Sequence, residues 1–171
     1  MKKFFVICTL ALFGCASYDN YYKLDESYLA RRQMETAYFD TNNEELILSA
    51  SAGVLQDLGF TIDESETKLG LITASKKREA GNTAAKLAVI MLSALSKSNE
   101  EPVYDTEQKI YTTLVSTKSK NSSGYNVRIE FARIIWNNKH ESRIEKIQDP
   151  KIYQDFFDKL SQSLFLTAHS I

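Results

Sequence analysis

Tyr125-Asn126-Val127-Arg128-Ile129-Glu130-Phe131-Ala132 decides the fold. Tyr125, Val127, Ile129 and Phe131 alternate with Asn126, Arg128, Glu130 and Ala132, a period of two that sends the two sets to opposite faces of a strand. Such a strand is half-buried: one face meets a core and the other meets water. Asn137-Asn138-Lys139 turns this strand back into a shorter one near Ser142–Ile147. Asp149 and Pro150 then open a helix as N-cap and first helical residue. Its Tyr153, Phe156, Phe157, Leu160 and Leu164 recur at helical spacing, a stripe that must cover a sheet.

The same signals extend upstream. Asn121-Ser122-Ser123-Gly124 is a turn, and the β-branched stretch Ile110 to Thr117 is the strand before it. Met34 to Phe39 reads as a short strand. Thr41-Asn42-Asn43-Glu44 fits a capping box, with Thr41 as N-cap. Ile47, Ala50, Val54 and Leu58 follow at helical spacing until Gly59, so a helix is predicted over 42–58. Phe60 to Ile62 and Leu71 to Lys77 are the arms of a hairpin around the polar turn Asp63–Lys68. Asn82 or Thr83 caps an apolar helix running to about Leu95, and a loop with Pro102 follows. The expected class is α+β, in the order β-α-β-β-α-β-β-β-α. Short turns between strands favour an antiparallel sheet with helices packed on one face.

The N-terminus carries a different message. Met1-Lys2-Lys3 precedes an apolar run from Phe4 to Phe13, broken only by Thr9, and Gly14-Cys15 follow. A basic start, a short greasy stretch and a small residue form an export signal, too short for the roughly 20 apolar residues that span a bilayer. Leu12-Phe13-Gly14-Cys15 resembles the lipobox of bacterial lipoproteins. That resemblance implies acylation of Cys15, cleavage before it, and an anchor in a membrane leaflet. Residues 1–14 are then the signal peptide, 15–32 a lipidated tether bearing Tyr18, Tyr21, Tyr22 and Tyr28, and 33–171 one α+β domain. Ala16 is not the Asp that marks inner-membrane retention in that family, so the expectation is the outer membrane, facing the periplasm.

Asp57-Leu58-Gly59-Phe60, Leu69 to Lys76, and the ending from Asp149 to Leu160 are similar to a pattern in uncharacterised bacterial lipoproteins. At fold level the domain resembles the small α+β domains of envelope lipoproteins such as the assembly subunit BamC. No catalytic motif comes with either resemblance.

Composition narrows the functions. Loss of Lys2 and Lys3 with the signal leaves 19 basic against 22 acidic residues, a net charge of −3, and a nucleic-acid partner wants a strongly basic face. Cys8 leaves with the signal and Cys15 is the acylation site, so the mature domain has no thiol for a disulfide or a thiolate metal site. The core alone must hold it. His140 and His169 form no metal-binding pair, and no cofactor, nucleophile elbow or phosphate loop is indicated. The acidic residues Asp63, Glu64 and Glu66 lack calcium-loop spacing.

Two features remain. In Ala84 to Leu95 only Lys86 and Ser93 are strongly polar, so Leu87, Ile90 and Met91 belong either to a helix buried between sheet and loop or to an apolar surface for a partner or acyl chain. Lys76-Lys77-Arg78, just before it, is either a charged strand end that guards an edge or a site for an anionic lipid headgroup. The leading expectation is a non-enzymatic envelope lipoprotein, tied to the membrane through Cys15 and serving as a binding or assembly module for an envelope protein partner. A lipid- or lipopolysaccharide-handling subunit is the alternative, and a hydrolytic enzyme comes third.

Overall fold

The structure is a computed structural model and describes residues 26–80, 83–95 and 102–169. The signal, Cys15 and most of the expected tether lie outside those residues. The chain divides into two units, Met1–Ala30 and Arg31–Ile171, and the second holds the sheet and its core.

The elements run α1 (Glu26–Met34), β1 (Thr36–Phe39), α2 (Glu44–Asp57), β2 (Thr61–Glu66), β3 (Leu71–Glu79), α3 (Thr83–Leu95), β4 (Asp105–Lys118), β5 (Tyr125–Asn137), β6 (Ser142–Lys146) and α4 (Pro150–His169). After α1 the order is the predicted one. The six strands form one antiparallel sheet, β1-β5-β4-β3-β2, and β6 also pairs with β5. β5 is long enough to carry two short partners end to end: β1 takes Tyr125–Arg128 and β6 takes Ala132–Trp136.

Between β1 and β6 the edge of β5 is closed by other groups. Ile129 N–H donates to the Glu35 carbonyl, and Ile147 N–H donates to the Phe131 carbonyl. The Tyr153 hydroxyl from α4 accepts from Phe131 N–H and donates to the Ile147 carbonyl at 2.6 Å. A buried tyrosine thus supplies the partner that a ladder group would otherwise lack.

The register places Ile72 opposite Leu114 and Leu114 opposite Ile129, with Phe131 opposite Thr112, all on one face. α2 covers this face with Ile47, Leu48, Val54 and Leu55, and α4 with Tyr153, Phe156 and Leu160, all of them buried. Phe131 is the hub, with the rings of Phe60, Tyr153 and Phe156 between 5.4 and 6.3 Å from its own. The half-buried strand and the α4 stripe are therefore the two sides of one core.

Four local expectations change. Residues 26–34 form a helix that the expected tether did not foresee, and β1 begins two residues after Met34. The N-cap of α2 is Asn43, whose side chain accepts from Leu46 N–H at 3.0 Å; Thr41 accepts from Asn43 N–H instead. Asp63, Glu64 and Glu66 lie in β2 rather than in a turn, and the reversal is a short 3-10 turn, Thr67–Leu69, ended by Gly70 at φ 63°. β4 and β5 extend well past the predicted ends, to Asp105 and Asn137.

Candidate binding surfaces

β3 separates the basic cluster that its sequence brings together. Lys76 pairs with Ile110 on the helix-covered side, and Lys77 pairs with Lys109 on the opposite side. The Lys76 ammonium donates to the Leu58 carbonyl at the end of α2 and lies 5.8 Å from the centre of the Phe60 ring. It satisfies one of the free carbonyls at a helix C-terminus and complements the dipole there. Its role is structural. Lys77 is exposed and pairs loosely with Glu107 at 3.8 Å. Such a surface pair contributes roughly 0–1 kcal/mol. Arg78 returns to the side of Lys76. The three residues do not form one patch.

Arg78 instead borders a cleft of about 230 Å³ at the end of the core, where Phe60, Ile110, Ile152 and Phe156 give an apolar lining and Asp155 an acidic rim.

α3 follows β3. Leu87 is 57% exposed, Ile90 41%, Met91 69% and Leu92 71%. Those values belong to a surface element, not to a helix enclosed by sheet and loop. At 13 residues it is about 20 Å long. Among the described residues no helix is long and apolar enough to cross a membrane. Leu87, Ile90 and Met91 fall at i, i+3 and i+4, so they present one face together.

Charge is organised at the sheet's edge. Arg143 of β6 grips Asp105 of β4 through two hydrogen bonds of 2.7 Å and also donates to Glu145, which Arg133 contacts at 2.6 Å. The Arg143 hydrogen bonds hold the Asp105 and Glu145 carboxyls below their ordinary range and raise the Arg143 guanidinium. This network ties the start of β4 to β6 across the end of β5. Glu35 behaves oppositely: burial, then the neighbouring Glu130 carboxylate, raises it.

On the face of the sheet opposite α2 and α4, Lys77, Lys109, Tyr111 and Trp136 surround a second cleft of about 700 Å³, bounded by the β5–β6 turn with His140. Sequence reading stopped the alternation of β5 at Ala132 and missed this surface. The signal was in the next residues: Ile134 and Trp136 continue the outward phase, which turns from polar to apolar. Among the described residues no group of three or more His, Cys, Asp and Glu side chains is placed to hold a metal ion. No protein-family model matches the chain, and no curated protein matches it in sequence.

Proposed function

We propose that this chain is a lipid-anchored envelope protein whose α+β domain is a non-enzymatic binding or assembly module, with α3 as its docking element. The observation that carries the reading is the exposure of Leu87, Ile90, Met91 and Leu92 on one short helix. Burying such side chains against a partner stabilises a complex by about 25 cal/mol per Å² of apolar surface removed from water. The lipobox-like Leu12-Phe13-Gly14-Cys15 supplies the address: a leaflet of the outer membrane, with the domain in the periplasm. Acyl chains contribute about 0.8 kcal/mol per buried methylene, so more than one of them anchors stably.

A photo-reactive amino acid at Met91, in cells producing the full chain, tests the docking role. One discrete protein adduct, lost in the Leu87→Asp variant, is expected. Adducts distributed over many proteins without preference would sink the reading. Adducts to lipid alone would transfer support to a lipid-handling subunit. That second reading has its own motive in the apolar cleft beside Arg78, which has room for the end of an acyl chain.

A further inference from the structure

The cleft on the face opposite α2 and α4 gathers aromatic and cationic side chains. Cross-strand pairing sets Lys77 beside Lys109, Lys109 beside Ile134, and Tyr111 beside Ala132. Trp136 stands one position further along the outward phase of β5. The Lys109 ammonium lies 4.6 Å from the centre of the Tyr111 ring, a distance at which the ring's negative face attracts it. At about 700 Å³ the cleft falls within the roughly 300–1,000 Å³ of small-molecule sites.

The polar groups of its lining are mainly donors. Neither the Trp136 indole N–H nor the Tyr111 hydroxyl has a hydrogen-bond partner among the described residues. Lys77 and Lys109 add two ammonium groups, against the single carboxylate of Glu107. Asn137 and Asn138 are already committed: Asn137 caps the β5–β6 turn, and Asn138 holds the Pro102–Tyr104 segment. Tyr111 and Trp136, Lys109 over the Tyr111 ring, and Lys77 in its loose pair with Glu107 remain to meet a ligand, with His140 beside them. A complementary ligand has an apolar ring face to lie on the aromatics, oxygen acceptors for the donors, and a negative charge for the lysines.

We infer that this cleft binds an acidic sugar, one whose ring carries a carboxylate or a phosphate. A sugar ring offers C–H groups to an aromatic face and hydroxyl oxygens at its rim, and the acid group meets Lys77 and Lys109. The inference rests on the envelope reading, which places the domain among cell-surface glycans. The acid group has two sources: the carboxylate of a glycan polymer or the phosphate of a glycolipid headgroup. A nucleotide shares part of this chemistry and is separated by experiment.

Trp136 is the sole tryptophan of the chain, so its emission reports from the site itself. The full chain is titrated with trigalacturonate, glucose 1-phosphate, neutral maltotriose and AMP. We expect a saturable emission change with trigalacturonate or glucose 1-phosphate, and whichever binds tighter identifies the source. Maltotriose is expected to bind at least tenfold more weakly. Lys109→Glu and Lys77→Glu should each weaken the acidic sugar at least tenfold, with circular dichroism unchanged, while Lys120→Glu in the exposed β4–β5 loop leaves it intact. Calorimetry on Tyr111→Ala should show a comparable loss. The inference is overturned by no response to either acidic sugar, by binding indifferent to Lys77 and Lys109, or by AMP binding more tightly than both. Fatty-acid labelling of Cys15 is measured separately, so failure of the envelope reading is distinguishable from failure of the site.

Discussion

At the scale of single residues, Glu35 is the clearest test of the electrostatics. It is only 5% exposed, in the gap that β1 and β6 leave along β5. Glu130 faces it from β5, while Arg31, Arg128 and Lys146 oppose that repulsion from α1, β5 and β6. Burial wins, and the carboxyl is raised above its ordinary 4.5. The folded chain therefore binds this proton more tightly than the unfolded chain does. The stabilising contribution is complete below about pH 4.5 and is lost as pH rises through the folded value. Glu35→Gln keeps the neutral form at every pH. We expect its urea midpoint to exceed that of the parent at pH 8 and the difference to shrink at pH 4. A lower midpoint at pH 8 would mean that the 3.5 Å pair with Arg31 outweighs the cost of burial. Gly124 tests geometry instead. A Cβ there would strike the Phe39 carbonyl, and the glycine N–H donates to the Tyr38 hydroxyl. Gly124→Ala should cost roughly 1–3 kcal/mol by forcing β1 away from β5, measured by denaturant unfolding.

At the scale of elements, α4 and α3 make opposite predictions. Phe156 is 1% exposed and stands edge-on to Phe131 and Phe157. Phe156→Ala should destabilise by about 3–5 kcal/mol, a large share of the usual 5–15. An almost unchanged denaturant midpoint would make α4 peripheral. Ile90 in α3 is 41% exposed, so Ile90→Lys should leave the domain folded, within about 0.5 kcal/mol, and impair only what α3 binds. Loss of the circular dichroism signal in this variant would return α3 to the core. The sequence showed α4 clearly because five apolar residues repeat at helical spacing over a polar background. It could not place α3, because a helix that is apolar all round has no period to say which side is covered. The division of Lys76-Lys77-Arg78 was hidden for a related reason: three adjacent charges look like one cluster until strand alternation parts them between two faces. Asn43 and Thr41 competed for one cap, and composition does not choose between two good capping residues. The ends of β4 and β5 were lost because outward residues there are apolar or aromatic, which blurs the alternation that marked their middles.

At the scale of the whole molecule, the fold and the proposed address belong to separate parts of the chain. Among the described residues the core is built from the unit Arg31–Ile171, on Ile47, Leu114, Ile129, Phe131, Phe156 and their neighbours, with no cysteine among them. No disulfide stands between Cys15 and that core, since Cys8 and Cys15 are the only cysteines and the proposed cleavage removes the first. A change at Cys15 should therefore alter location without altering stability. In cells fed a labelled fatty acid, we expect Cys15→Ser to take up no label and to leave the membrane fraction or accumulate unprocessed. The same variant, purified, should unfold within about 0.5 kcal/mol of the parent. The two readouts answer different questions. Unchanged labelling would end the lipoprotein reading while leaving the α+β domain intact. Lost labelling with a large fall in stability would mean that the N-terminal residues contribute to the fold, and the separation of anchor from domain would be wrong.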